Sequence, residues 1–145
     1  MRHDHLFVYG TLGAAAGHPL GDLLRAHAEF AGTGSIRARL YVINDPDEPD
    51  QNFYPGALPS PDPEDRVHGE VYRIIDGDTL FPALDRFEAC SPDHPEPHEF
   101  ALRSVEVAMS DGAALRASTY LYTWDVTGYE RVTSGRYTTR DPNIR

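Results

Sequence analysis

The sequence predicts an α+β fold, because strand-like and helix-like segments follow one another along its 145 residues. About five short apolar or alternating runs predict strands, and two runs with apolar residues at helical spacing predict amphipathic helices. The length corresponds to one ordinary domain with a sizeable core. Neither a repeat nor a linker divides the chain, so we expect a single domain over residues 1–145.

The first elements are a strand, a helix and a second strand. His5–Tyr9 is apolar and aromatic and ends at a glycine, which is typical of a buried strand. Leu20–Phe30 has an apolar side at helical spacing and predicts a helix that Gly32 and Gly34 end. Ser35–Ile43 alternates between apolar and polar residues and predicts the second strand.

A long segment rich in Pro, Asp and Glu follows, Asn44–Pro63, and we expect it to be a surface loop. It holds one apolar island, Phe53–Leu58. Loops of this length are often functional, so we expect it to gate a pocket, with Phe53 or Tyr54 facing the ligand. Packing of both rings onto the body of the protein is an equally open alternative.

The second half of the chain predicts a strand, a helix and a hairpin. Val67–Ile75 has the pattern of a strand, and Asp78–Glu88 has the pattern of a short amphipathic helix. Phe100–Met109 and Leu115–Trp124 predict two strands, and the turn residues Ser110–Ala113 join them as a hairpin.

Glu88 is the first candidate functional residue. Leu80, Phe81, Leu84 and Phe87 form the apolar stripe of the predicted helix, and at about 100° per residue Glu88 projects into it. A carboxylate on a buried face must be paired, protonated or used, and a helix end with apolar neighbours should raise its pKa. The alternative is a frayed last turn that directs Glu88 toward water.

The segment after the first strand is the second candidate. Tyr9, Gly10, Thr11 and Leu12 stand where the strand ends and the backbone must turn. Glycines allow such a turn to present successive N–H groups to an anion. An ordinary strand-ending turn explains the same residues equally simply.

Composition excludes several classes of partner. The formal net charge of −10 would repel nucleic acid and anionic membranes, so we expect neither as a partner. Cys90 is the only cysteine, and the apolar run at the N-terminus is too short for a signal peptide, so a cytoplasmic location is expected. No His, Cys, Asp and Glu spacing matches a known metal-ligand pattern, so we expect no metal site.

Six short motifs, taken in order, resemble the gamma-glutamylcyclotransferase superfamily, and the small gamma-glutamylamine cyclotransferase-like branch in particular. They are Phe7-Val-Tyr-Gly-Thr-Leu12, Tyr54-Pro-Gly56, Val67-His-Gly-Glu-Val-Tyr72, Leu84-Asp-Arg-Phe-Glu88, Val105-Glu-Val107 and Ala117-Ser-Thr-Tyr-Leu-Tyr122.

The resemblance implies a small mixed β-barrel with flanking helices. It implies an enzyme that releases 5-oxoproline from a small gamma-glutamyl amine or peptide without metal or cofactor. By motif, Glu88 takes the proton-transfer position, and Tyr9, Gly10, Thr11 and Leu12 take the substrate-binding loop. The oligomeric state and the particular gamma-glutamyl substrate stay open.

Two segments depart from the family pattern. Where the family often has Tyr-x-Arg-x-x-Val-x-Val, this chain has Phe100-Ala-Leu-Arg-Ser-Val-Glu-Val107. The family's arginine is therefore either shifted by one residue, to Arg103, or lost. An inward Arg103 would take the substrate's α-carboxylate, and an outward one would leave it to backbone N–H groups. Ser134–Tyr137 reads Ser-Gly-Arg-Tyr instead of Ser-Gly-Asp-Trp. The alternative function is therefore a non-catalytic small-molecule binding or interaction protein on the same fold.

Overall fold

The computed structural model describes residues 4–9, 19–44, 53–87 and 96–136, with the backbone alone described at residues 19, 20, 53 and 87. These residues form seven strands and two helices. In chain order the elements are β1 (His5–Val8), α1 (Pro19–His27), β2 (Ala28–Asn44), β3 (Phe53–Pro59), β4 (Arg66–Ile74), α2 (Gly77–Phe87), β5 (Phe100–Met109), β6 (Ala114–Tyr122) and β7 (Glu130–Arg131).

Five of the strands close into a mixed β-barrel. The hydrogen-bonded order is β2-β4-β1-β6-β5, and β5 pairs with β2 again at Gly34 and Ser35 to complete the circle. Only the pairing of β1 with β6, at Leu6 and Ser118, is parallel. The predicted α+β class and the mixed barrel with flanking helices are confirmed.

Two apolar clusters fill the structure on the two sides of the barrel wall. The first cluster occupies the barrel interior, and each of the five barrel strands contributes at least one buried residue to it. Its members include Phe7, Ile36, Val67, Val107 and Ala117. The second lies between the wall and the helices, because it joins strand residues to Leu24 of α1 and to Leu80, Phe81 and Leu84 of α2. The helices are therefore held on the outside of the barrel by burial of their apolar faces.

The predicted helix over Leu20–Phe30 is wrong at its C-terminal end. α1 stops at His27, and Ala28 to Phe30 already pair with β4, opposite Ile74 to Tyr72. The strand continues through Gly32, whose φ of 135° falls at a shift in the β2–β4 register. Gly32 thus accommodates a bulge in a strand and does not end a helix.

The predicted surface loop over Asn44–Pro63 is also corrected. Its apolar island is β3, which runs antiparallel to β2 from Phe53 opposite Asn44 to Pro59 opposite Ala38. β3 lies at the edge of the sheet. Prolines are tolerated there because an edge strand forms hydrogen bonds with a neighbouring strand on one side only. Residues 45–52 lie outside the described part of the chain.

The other predicted elements agree with the structure. α2 buries Leu80, Phe81 and Leu84 as the helical spacing predicts. The hairpin turn between β5 and β6 is built as expected, with Gly112 at a φ of 94° and the Asp111 carboxylate accepting from the Ala113 N–H. Neither described helix is long and apolar enough to cross a membrane.

Candidate active site

Tyr9 closes one end of the barrel by joining three strands. Its hydroxyl donates to the carbonyl oxygen of Tyr120 in β6 at 2.5 Å and accepts from the N–H of Ala57 in β3 at 3.2 Å. The ring packs against the barrel interior, 6.3 Å from the ring of Phe7. The end of β1 is thereby fixed, and the segment that follows Tyr9 starts from a defined position.

Tyr120 connects this end of the barrel to α2. Its hydroxyl donates to Oδ1 of Asp85 at 2.6 Å, and Asp85 belongs to the last turn of the helix. Tyr120 itself is buried in the layer between barrel and helices. One residue therefore contacts both the end of β1 and the end of α2, although Tyr9 is 111 positions away from it.

A second carboxylate stands at the same end of the barrel. The hydroxyl of Tyr54, in β3, donates to Oε2 of Glu99, directly before β5. The Tyr54 ring lies 6.1 Å from Phe100, and Phe100 meets Tyr122 edge to face at 5.3 Å. Tyr54 thus packs onto the barrel beside Glu99, which is the alternative to its expected role of facing a ligand from a mobile loop.

The phenol of Tyr122, beside Phe100, stays protonated to a higher pH than that of a free tyrosine. Burial is the main cause that raises the pKa of Tyr122, and the nearby charge of Glu99 adds to it. A buried neutral phenol keeps an O–H group available as a hydrogen-bond donor. The barrel end thus combines phenol donors with the carboxylates of Asp85 and Glu99, which are groups suited to orient and exchange protons with a small polar molecule.

The structure describes only one of the predicted site residues. Tyr9 is half-buried and directly follows β1. Gly10, Thr11, Leu12 and Glu88 lie outside the described residues, so their roles stay predictions. Tyr9 directly precedes the predicted loop, Asp85 lies three residues before Glu88, and both are hydrogen-bonded to Tyr120.

Arg103 is exposed, and its guanidinium donates to the carbonyl of the preceding Leu102 at 3.1 Å. The outward alternative therefore holds for this residue. In the described ranges, no three His, Cys, Asp or Glu side chains come together as a possible metal site.

Sequence reasoning missed the contributions of Tyr120, Asp85 and Glu99. Tyr120 lies within a predicted strand and within the Ala117–Tyr122 motif, but its polar contacts reach residues 35 and 111 positions away. Spacing along the chain cannot predict such contacts. A signal was present in the aromatic run of β6, Tyr120-Leu-Tyr122, since buried tyrosines usually have a hydrogen-bond partner.

Solved structures share this architecture. An AIG2-like protein from Mus musculus is 23% identical, with 97% of this chain and 99% of that chain covered and a TM-score of 0.58. An uncharacterized protein from Pyrococcus horikoshii is 23% identical over 92% of this chain and 89% of its own, with a TM-score of 0.56. A structure described as gamma-glutamyl cyclotransferase is 21% identical over 88% and 68%, with a TM-score of 0.59.

At these identities the three structures establish a shared fold. No curated protein matches the sequence significantly. The profile of the family described as "Gamma-glutamyl cyclotransferase, AIG2-like" matches residues 6–139, which is nearly the whole chain. The chain therefore belongs to the gamma-glutamyl cyclotransferase, AIG2-like family.

Proposed function

We propose that this protein is a cofactor-independent gamma-glutamyl cyclotransferase that releases 5-oxoproline from a gamma-glutamyl amine or peptide. In this proposal Glu88 transfers the proton, and Tyr9, Gly10, Thr11 and Leu12 form the loop that binds the substrate. Membership in the family supports the reaction class. The particular substrate is left to experiment.

The observation that carries the proposal is the pair of hydrogen bonds made by Tyr120. Its carbonyl accepts from Tyr9, directly before the predicted loop, and its hydroxyl donates to Asp85, three residues before Glu88. A residue in a loop and another after a helix can act on one small molecule more readily when the two segments begin close together. The contacts of Tyr120 support this proposal, because one residue binds both Tyr9 and Asp85.

The chemistry needs few groups. The α-amine nitrogen of the substrate attacks its own γ-carbonyl carbon, a C–N bond closes the five-membered ring, and the C–N bond to the leaving amine breaks. The proton lost by the attacking nitrogen passes through the Glu88 carboxylate to the leaving nitrogen. Backbone N–H groups of the Tyr9–Leu12 turn hold the oxyanion or the α-carboxylate. Because the attack is intramolecular, no protein nucleophile is required.

The test is 5-oxoproline release across a panel of gamma-glutamyl amines and peptides, by the protein and by Glu88→Gln. Loss of proton transfer should lower kcat by about 10²–10⁴-fold. Glu106→Gln is the matched control, because Glu106 is exposed on β5 and the change is chemically the same. Unchanged turnover in Glu88→Gln would refute the assigned role.

The alternative, a non-catalytic binding protein on this fold, has its own distinct outcome in the same panel. It predicts saturable binding of a gamma-glutamyl compound or of 5-oxoproline without any turnover. The departures from the family pattern at Phe100–Arg103 and at Ser134–Tyr137 are the features that favour it.

A further inference from the structure

A small surface depression lies beside β4 and β7, and three arginines belong to its lining. Arg39, Arg66 and Arg131 contribute to it, together with His68 and Ser134. Its volume is about 160 Å³. Pockets for drug-sized ligands measure roughly 300–1,000 Å³, so only a small molecule or ion would fit here.

Asp65 holds two of these arginines in fixed positions. Its Oδ2 accepts from Nε of Arg39 at 2.7 Å and from the Ser60 hydroxyl at 2.7 Å, and its Oδ1 accepts from Arg131 at 2.8 Å. These contacts keep the pKa of Asp65 well below its usual range, with the bond from Arg39 as the largest cause. One carboxylate thus orients two guanidinium groups, and each guanidinium keeps further N–H donors. The single negative charge of Asp65 balances only one of the two positive charges.

Arg66, in the lining, and Arg136, which follows Ser134 and Gly135 in the sequence, have no carboxylate partner among the residues that the structure describes. Arg66 donates to the hydroxyl and the carbonyl of Ser35, at 3.1 and 3.0 Å, and both of these acceptors are uncharged. Arg136 makes no ion pair with any residue that the structure describes. Its backbone N–H donates at 3.3 Å to the hydroxyl of Ser134, which lines the depression, and its charge adds to burial in lowering the pKa of His68.

Arg136 is held in place by a constrained turn. Gly135 has a φ of 70°, and its carbonyl accepts from the N–H of His68 at 2.8 Å. A Cβ on Gly135 would lie 1.8 Å from the carbonyl oxygen of Arg66, so only glycine fits. The turn therefore fixes Ser134-Gly-Arg136 against β4, and the departure of this chain from the family's Ser-Gly-Asp puts a positive charge there.

The local charge is opposite to that of the whole protein. Arg39, Arg66 and Arg131 line the depression together with the carboxylates of Glu64 and Asp65, and Arg136 follows from the adjoining turn, while the chain as a whole carries −10. The third carboxylate nearby, Asp62, accepts from the backbone N–H of Glu64 at 2.9 Å. A cationic depression in an acidic surface concentrates anions, and planar guanidinium groups match the oxygens of phosphate and carboxylate.

We propose that this depression is a binding site for a small dianionic oxyanion, such as a phosphate group, held by Arg66, Arg131 and Arg136. The site goes beyond the proposed cyclotransferase reaction, whose assigned residues it does not include. Its ligand would be recognised by charge and by the fork geometry of the guanidinium groups, without a metal.

The test is titration calorimetry of the full chain with inorganic phosphate at constant ionic strength, balanced with chloride. We expect saturable 1:1 binding that weakens at least tenfold in Arg136→Asp. Arg116→Asp is the control, because Arg116 is exposed on β6, outside the depression, and the change in net charge is identical. The control variant should bind phosphate within about twofold of the parent.

A parallel titration with succinate distinguishes the two sources of a dianion. Stronger phosphate binding identifies phosphate compounds as ligands, and stronger succinate binding identifies dicarboxylates. Absence of saturation by either anion at millimolar concentration overturns the proposal. An equal loss in Arg136→Asp and Arg116→Asp also overturns it, because the effect would then come from net charge alone.

Discussion

Tyr9 and Tyr120 share one hydrogen-bonded arrangement at the end of the barrel that carries the candidate active site. The Tyr9 hydroxyl both donates and accepts, to Tyr120 and from Ala57, so it satisfies two backbone groups from two other strands. A buried backbone N–H or C=O group without a hydrogen-bond partner destabilises the folded state. This hydroxyl is therefore structural as well as adjacent to the predicted loop.

Tyr9→Phe should lower the free energy of unfolding by about 1–3 kcal/mol, because it leaves the Ala57 N–H and one acceptor of the Tyr120 carbonyl without this partner. Denaturant unfolding measures the loss. Tyr41→Phe is the control, since the Tyr41 hydroxyl makes no hydrogen bond with the residues that the structure describes. Equal stability of Tyr9→Phe and the parent would show that the hydroxyl contributes nothing.

The ionisation of Tyr72 predicts how stability changes at alkaline pH. Burial, and then its hydrogen bond to Glu70, raises the pKa of Tyr72 from 10.0 to about 12. The unfolded chain releases this proton first, so the associated stability is complete below pH 10 and is lost as the pH rises toward 12.

The free energy of unfolding should therefore fall between pH 10 and pH 12, and it should fall less in Tyr72→Phe. Chemical denaturation at a series of pH values measures both slopes. Tyr122, whose pKa is also raised, supplies the part of the decline that remains in the variant. Identical slopes in the two proteins would contradict the role of Tyr72.

Residue types and their order predicted the strand end beside which the candidate site lies, but not the contacts around it. The strand end at Tyr9 could be predicted because a glycine follows a short apolar run. The partners of Tyr120 and the pairing of Tyr54 with Glu99 could not, because they depend on how distant strands meet in space. Tertiary contacts of this kind have no local pattern.

At the scale of elements, β2 is the strand on which the others depend. Its first half pairs with β4 and, at Gly34, with β5, and its second half pairs with β3 and β7. Gly34 and Gly69 are register partners in this region. A Cβ on Gly69 would lie 2.3 Å from the carbonyl oxygen of Val8, so β4 and β1 approach one another more closely here than a side chain allows.

Gly69→Ala should therefore reduce the free energy of unfolding by about 3 kcal/mol, because the clash is with backbone that cannot rotate away. Gly112→Ala is the comparison. Gly112 has open space around it and only its φ of 94° to accommodate, which should cost about 1–2 kcal/mol. A smaller loss for Gly69→Ala than for Gly112→Ala, measured by denaturant unfolding, would show that the strands can move apart.

Elements whose pattern is local were predicted best. The hairpin of β5 and β6 and the helix α2 follow from turn residues and from helical periodicity. The boundary of α1 and the strand β3 were wrong for one shared reason. Phe30 and Phe53 occur in segments with weak or helix-like patterns, and pairing with a neighbouring strand makes these segments extended.

At the scale of the whole molecule, β1 lies between β4 and β6 and forms the one parallel seam among the described barrel strands. β1 runs parallel to β6, with Leu6 opposite Ser118. The buried hydroxyl of Thr119 donates to the carbonyl of Phe7 at 2.9 Å across the same seam, over a separation of 112 residues. In contrast, β5 and β6 form a hairpin, so the residues that pair between these two strands are close together in the sequence.

The parallel seam determines the order in which a newly made chain can assemble. β5 and β6 can pair as soon as both exist, whereas β1 must wait, unpaired on that side, until almost four-fifths of the chain has been synthesised. Joining segments so far apart is slow, because the entropy of a large loop is lost before any contact compensates for it. We expect refolding in milliseconds to seconds, followed in a stopped-flow experiment by the fluorescence of Trp124, the single tryptophan. A microsecond phase that recovers the full signal would show that closure of the seam does not limit the rate.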